Sequence, residues 1–427
     1  MPIEKMSFTL GDRWVGQGGT TVSEDGTDDP SVSPRFLSNA HKLGYCPPLD
    51  GMRGLAVILV VLVHASFVTF ASFAASVDMF FLVSGFLITT LLLEEDRRFG
   101  SVNLRHFYQR RALRLLPLMY LILVTTLLAF LALHLAFGER ELLDRTISDV
   151  LAGGGYIYHV IHPVHSELVG GGPAPIRPLI QLWSLSVEEH FYVFGVLVIG
   201  LVVRRRWVNQ LMVVFLAAWL FIGAARLLGH VGPNFAWYQR PDSLLLGVVV
   251  AFVNAKLPAD WSPVVDKWMR RAASAAVVIM WATVLSGTLL VKPLGLYVPF
   301  LVSKGGSLRQ EFVWGEFGFS VVAACIAVMV ITFVRCPDHR AARFLSHRWL
   351  TAAGVRSYAI YLIHVPLGVF MMETIGRKSP GLMILLYVPA LALATEAAHR
   401  YVEKPAMQVK NRLGSPATAA EGSGSPA

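Results

Sequence analysis

Apolar runs long enough to cross a bilayer recur along this chain, separated by short polar or basic stretches. A transmembrane helix needs about 20 mainly apolar residues. Such runs fall at 54–73, 75–93, 116–137, 183–203, 207–228, 242–256, 272–291, 316–334, 355–375 and 381–400. The pattern predicts an all-α polytopic membrane protein, a bundle of about ten transmembrane helices. An eleventh stretch at 146–162, TISDVLAGGGYIYHVIH, is broken by three glycines and several polar residues. Charge decides how it is counted. If it does not span, the basic loops from Arg97 to Arg114, Arg204 to Arg206, Lys267 to Arg271, Arg335 to Arg348 and Arg400 to Arg412 share one face. An excess of Lys and Arg marks the cytoplasmic side. Both termini are then expected in the cytoplasm, with 138–182 outside as a re-entrant or interfacial piece. Counting 146–162 as a span would put the triple arginine on the wrong face.

Composition agrees with this pattern. Of 427 residues, 55% are hydrophobic and 15% charged, too apolar for an ordinary soluble domain. The formal net charge of +9 is mostly a topology signal. Its basic residues are spread over separate loops without a nucleic-acid module, so no nucleic-acid partner is expected. Residues 1–45 are polar and lack the apolar core of a cleavable signal peptide, and are expected to be a disordered cytoplasmic tail. The membrane domain is placed at 46–405, and a second cytoplasmic tail at 406–427, ending SPATAAEGSGSPA. Cys46, Cys325 and Cys336 show no CxxC pairing, so neither a zinc site nor a disulfide framework is indicated. No internal repeat of the transporter kind is visible, which counts weakly against a transporter. Oligomeric state is not legible.

Ionisable groups inside apolar spans are costly, so each is a candidate for function. In PPLDGMRGLAVILVVLVHA, from residue 47, Arg53 and His64 are eleven positions apart. That spacing puts both on one helical face, roughly 16 Å apart along the axis. Asp50 reads as the N-cap, Arg53 as lying at the inner interface, and His64 near the midplane. Each has a bland alternative: a snorkelling interfacial arginine, and a histidine bonded to a neighbouring carbonyl. The second span, SVDMFFLVSGFLITTLLL, carries Asp78 near its outer end and Ser84 and Gly85 at its middle. Small residues there suit close helix packing, and without a GxSxG setting Ser84 is not read as an acylated serine.

In RHFYQRRALRLLPLMY, Arg111 and Arg114 share a helical face just before Pro117. Positive-inside topology explains charge in this loop. The density of six arginines from Arg97 to Arg114 also suits phosphates, which guanidinium groups bind through paired N–H donors. In QLWSLSVEEHFYVF, Ser186 and Glu189 fit a capping box. Glu188 lacks that structural reason and is expected within reach of His64, where a carboxylate makes histidine a competent general base. Arg240 and Asp242 read as an interfacial ion pair. His364, before Pro366, reads as either a polar lining residue or one that stabilises a kink. His159, His162 and His165 have metal-like spacing, but Pro163 interrupts the helix and no metal is expected. The glycine triplets at 153–155 and 170–172 lack a P-loop continuation and read as flexible outer loop.

Taken in order, LDGMRGLAVILVVLVH, VDMFFLVSGFLI, RRALRLLPLMY, WSLSVEEHFYVF, RPDSLLLG, SYAIYLIHVP and YVEKP, between 49 and 405, resemble integral-membrane acyltransferase family 3. This family includes bacterial O-acetyltransferases of surface polysaccharides and macrolide acyltransferases. The resemblance implies a multi-pass protein of the bacterial inner membrane. Its co-substrate would be acyl-CoA, acetyl-CoA foremost, and its acceptor a hydroxyl, commonly on a sugar. It further implies catalytic roles for His64, Glu188 and Glu189, and cofactor binding by Arg53, Arg111 and Arg114, without a metal. Met52 stands where leucine is usual, and His190 where glutamine is usual, which unsettles the hydrogen bonding beside Glu188. No esterase-like domain is expected after residue 405. The expected mechanism has His64 deprotonate the acceptor hydroxyl while Glu188 orients it. An acyl-histidine intermediate, a macrolide-type acceptor and, from another class, a proton-coupled transporter remain open.

Overall fold

A computed structural model of the protein describes residues 42–66, 71–162, 177–228, 242–286 and 313–412. Proline opens the first helix, α1 (Pro47–Ser66), because its fixed φ suits a helical first turn and its missing N–H is not needed there. Asp50 therefore lies inside the first turn of α1, and the expected N-cap at Asp50 is not observed. The remaining helices are α2 (Ser76–Phe99), α3 (Leu104–Phe137), α4 (Arg140–Gly154), α5 (Tyr158–Ile161), α6 (Leu182–His190), α7 (Val196–Arg205), α8 (Val208–Leu227), α9 (Asp242–Lys256), α10 (Pro263–Ser286), α11 (Val313–Arg335), α12 (Arg340–Leu345), α13 (Arg348–Val355), α14 (Ser357–Met371), α15 (Pro380–Ala398) and α16 (Lys404–Arg412). Wide π turns at Phe191–Gly195 and His399–Glu403 join α6 to α7 and α15 to α16, and a third at Met372–Gly376 extends α14.

Among the described residues, eight helices are long and apolar enough to cross a membrane: Pro47–His64, Ser72–Phe99, Leu104–Phe137, Leu182–Arg205, Val208–Leu227, Gly318–Arg335, Ser357–Gly376 and Pro380–Val409. All eight coincide with predicted spans, and the protein is an all-α polytopic membrane protein. The two other predicted segments correspond to α9, with 15 described residues, and α10, whose first half carries Asp266, Lys267, Arg270 and Arg271. The broken stretch at 146–162 forms the end of α4 and the short α5, neither long enough to span. Helix α16 carries the chain to Arg412 and packs along α3, so the boundary placed at 405 falls within helical structure. Of the tails expected at 1–45 and 406–427, residues 1–41 and 413–427 lie outside the described residues.

Close backbone approach organises the bundle. A Cβ on Gly85 of α2 would lie 2.4 Å from the Leu244 carbonyl oxygen, and one on Gly247 of α9 only 2.3 Å from that of Leu82. Only glycine lets these two helices meet so closely. Gly51 and Gly54 do the same for α1, whose backbone abuts Leu345 and Leu350 of α12 and α13. Around these contacts one apolar cluster joins α1, α2 and α9–α11 through residues such as Met52, Phe86 and Phe333. A second joins α1, α2, α3, α6, α14 and α15 through Val60, Phe81, Leu182 and Leu362. The candidate site lies within this second group.

Candidate active site

His64, on the last turn of α1, meets His364 of α14 edge to face, with ring centroids 4.9 Å apart. The backbone settles which nitrogens carry protons. His364 Nδ1 lies 2.8 Å from the Tyr361 carbonyl oxygen and 3.2 Å from that of Ile360. Both are acceptors, so Nδ1 is assigned the hydrogen and Nε2 the lone pair. His64 Nδ1 lies 2.9 Å from the Val60 carbonyl and 3.3 Å from His364 Nε2, so it too carries a hydrogen, shared between two acceptors. The network thus leaves His64 Nε2 unprotonated and without a hydrogen bond among the described residues. Pro366 contributes to placing His364: it supplies no N–H to the Leu362 carbonyl one turn back, and Gln181 Nε2 donates to that oxygen instead, at 3.1 Å. His364 is therefore buried with its ring facing His64.

The glutamate pair is held elsewhere in the same helix cluster. Glu188 Oε1 accepts from Ser84 Oγ of α2 at 2.5 Å and from the Tyr192 hydroxyl. Tyr192 lies in the π turn after α6, a wide turn of the kind common at functional sites, and the Arg111 guanidinium lies over its ring. Glu189 Oε1 accepts from Arg111 Nη2 at 2.8 Å and Nε at 3.2 Å. Two predictions are corrected here. Glu189 belongs to an ion pair inside a continuous helix and forms no capping box, since α6 begins at Leu182 and Ser186 Oγ donates back to the Leu182 carbonyl at 2.9 Å. Glu188 bonds Ser84 and Tyr192, while the partner of His64 is His364. Tyr361 connects the two groups: its ring is 5.5 Å from that of His364, its hydroxyl bonds Ser184, and it lies within the electrostatic reach of Glu188.

At the end of the bundle where α1 and α3 begin, the arginines differ. Arg111 is committed to Glu189. Arg53 and Arg114 are close enough to act on each other electrostatically, and Arg111, Tyr192 and Glu403 also act on Arg114. Neither Arg53 nor Arg114 makes a hydrogen bond or ion pair among the described residues, and Arg114 remains exposed. Asp50 lies within electrostatic reach of both. Glu403, in the π turn before α16, is bonded by His399 Nδ1 at 2.7 Å. Two adjacent unpaired guanidinium groups are electrostatically unfavourable without an anion, and phosphate oxygens suit them.

Tyr192, Tyr361 and Glu403 lie within the motifs WSLSVEEHFYVF, SYAIYLIHVP and YVEKP, but the sequence assigns them no role. For Tyr192 and Tyr361 the signal is a ring-bearing residue one helical turn from Glu188 and from His364; Glu403 carries none beyond its place in YVEKP. Other candidates lie apart. The Arg240 partner proposed for Asp242 lies outside the described residues; Asp242 is clasped by Arg226 at 2.7 and 3.0 Å, both side chains about 2% exposed. Of the spaced histidines, His165 lies outside the described residues. His162 Nε2 bonds Ser148 Oγ at 3.0 Å beside the Asp149–Arg177 pair, and His159 packs against the His190 ring at 4.8 Å. Burial pulls His159 down to about 4, with His190 adding to the effect. No group of three or more metal-ligand side chains occurs among the described residues.

The family described as "Acyltransferase domain" matches residues 48–396, which contain His64, His364, Arg53, Arg111, Arg114 and the glutamate pair. The chain belongs to this acyltransferase family. Among its relatives, the O-acetyltransferase OatA of Staphylococcus aureus (strain NCTC 8325 / PS 47) is 28% identical over 377 residues, covering 86% of this chain and 58% of the relative. The peptidoglycan O-acetyltransferase OatA of Listeria monocytogenes is 29% identical over 379 residues, 84% of this chain and 56% of the relative. The putative peptidoglycan O-acetyltransferase YrhL of Bacillus subtilis is also 29% identical over 379 residues, with 84% and 55% covered. The chain thus spans little more than half the length of these relatives. No solved structure matches it.

Proposed function

We propose that this acyltransferase moves an acetyl group from acetyl-CoA on the cytoplasmic side to a hydroxyl of a cell-envelope glycan, in the cytoplasmic membrane of a bacterium. One observation carries the reading. Arg53 and Arg114, without a hydrogen bond or ion pair among the described residues, form a cationic site at the entry of α1, and eleven residues along that helix stands His64, its Nε2 likewise without a partner among them. The separation, roughly 16 Å along the axis, is one that the extended pantetheine arm of a CoA thioester can bridge. The positive-inside rule assigns the basic end to the cytoplasm, where acyl-CoA is made. The glycan acceptor and the acetyl group follow the names of the relatives, two of which are peptidoglycan O-acetyltransferases, one of them putative.

In this reading Arg53 and Arg114 hold phosphates, and Arg111 is the fixed cation that Glu189 neutralises. His64 Nε2 takes the proton of the acceptor hydroxyl as that oxygen attacks the thioester carbonyl carbon. The tetrahedral intermediate collapses with cleavage of the C–S bond, and the proton passes from the imidazolium to the departing CoA thiolate. The Nδ1 contacts with Val60 and His364 keep the ring in the tautomer this step needs. Glu188, through Ser84 and Tyr192, ties α2 to the turn after α6 and so fixes one wall of the site.

Purified protein in liposomes, given acetyl-CoA, tests the proposal through release of free CoA thiol. Release that depends on an added glycan acceptor is the expected result. Proton-coupled solute uptake without thiol release would assign the protein to the transporter class instead.

A further inference from the structure

Helix α4 ends in a manner that its own sequence makes unnecessary. The Ile157 N–H bonds the Ala152 carbonyl, and the Tyr156 N–H that of Gly153, both at 2.9 Å. This is the paired closure in which the residue after the cap turns left-handed, and glycine is its usual occupant. Three glycines immediately precede it, at 153, 154 and 155. Yet the left-handed position belongs to Tyr156, at φ 56°, a conformation that is strained for a large side chain. Its hydroxyl is also buried and lacks a hydrogen-bond partner among the described residues. The backbone strain and the unmet donor both oppose folding, and outliers of this kind cluster where a side chain serves function.

The side chain has a definite destination. Tyr156 packs against the second apolar cluster, which lines the site. Glu189, Arg111 and Glu188 all act on its hydroxyl electrostatically, as does Tyr120, and Tyr156 and Arg111 both act on Tyr358. Tyr120 does not satisfy it: the Tyr120 hydroxyl donates to the Gly154 carbonyl at 3.1 Å, and among the described residues no hydrogen bond joins the two phenols. A buried phenol donor without a partner among the described residues therefore stands beside the Arg111–Glu189 pair, carried by a segment from outside the long helices.

We propose that Tyr156 is a substrate-contacting residue, its hydroxyl held open to donate a hydrogen bond to an oxygen of the reacting pair. That oxygen is either the carbonyl of the acyl group, where charge develops during transfer, or the acceptor hydroxyl. The inference rests on the acyl-transfer reading of the site. It adds that the 153–158 segment is part of the working surface and not a passive connection.

The test compares wild type, Tyr156→Phe and Tyr156→Gly in liposomes, measuring acceptor-dependent thiol release and thermal unfolding. Tyr156→Phe is expected to unfold at the wild-type temperature and to lose about tenfold or more in kcat/KM, the scale of one hydrogen bond made in the transition state. A loss in kcat alone assigns the contact to the acyl carbonyl, and a raised KM for the acceptor assigns it to the acceptor hydroxyl. Tyr156→Gly, which loses the ring as well as the hydroxyl, is expected to be at least as impaired as the Phe variant. A Tyr156→Phe protein with wild-type kcat and KM would overturn the proposal, whatever the Gly variant does. If wild type itself releases no thiol, the acyl-transfer reading fails, which is a separate result.

Discussion

Arg111 and Arg114 lie one helical turn apart on α3, yet Arg111 has a carboxylate partner and Arg114 has none among the described residues. Their substitutions should therefore differ in kind. Arg114→Gln is expected to weaken CoA binding about tenfold or more, since a hydrogen bond to a charged group contributes about 1.5–3 kcal/mol, while thermal unfolding is unchanged. Arg111→Gln leaves the Glu189 carboxylate without its partner and is expected to destabilise the protein by about 3–5 kcal/mol. Calorimetric titration with CoA and thermal unfolding in detergent separate the two, and the opposite pattern would reject the division of labour. Sequence reasoning identified these arginines, His64 and both glutamates as candidates. Glu188 reads as a partner for His64 because depth along a helix is the only coordinate a sequence offers. Lateral neighbours depend on how helices rotate against one another, so the His64–His364 contact, between residues 300 positions apart, was not legible.

At the level of elements, spacing alone did not fix where helices begin. Apolar periodicity marks membrane-grade stretches, but α1 starts several residues before the apolar run because prolines and the small residues of DGMRG suit its entry against α12 and α13. The capping box at Ser186 and Glu189 failed for the same reason: α6 already runs from Leu182. Packing through small residues, by contrast, was read correctly at Gly85. Its counterpart Gly247 provides the sharper test. A leucine at 247 would place its Cβ against the Leu82 backbone, which cannot give way as a flexible side-chain tip could. Gly247→Leu is expected to cost about 1–3 kcal/mol or more from overpacking. Thermal unfolding of the purified variant measures this, and an unchanged midpoint would mean that α2 and α9 are not in intimate contact.

Across the whole molecule, the span pattern was the most legible feature, because the length and polarity of a membrane helix are imposed by the bilayer and not by particular partners. Polar groups buried between helices were less so. Arg226 sits buried in the last turn of the apolar helix α8, and its importance is visible only once Asp242 of α9 is seen clasping it. Asp242→Ala should leave that buried guanidinium without its carboxylate and destabilise the bundle by about 3–5 kcal/mol, read again from thermal unfolding. A variant as stable as wild type would show that the pair does not tie α8 to α9. The two apolar clusters and this buried pair together hold the helices that place the cationic entry and the histidine pair on one path.

That path is the central claim, and His64 is its decisive point. The most direct measurement is acceptor-dependent thiol release from acetyl-CoA by liposomes containing equal amounts of folded wild type and His64→Ala. Loss of transfer by about a hundredfold or more, with CoA affinity retained, is the predicted result, because general-base catalysis contributes about 10²–10⁴-fold. Transfer at the wild-type rate by His64→Ala would contradict it.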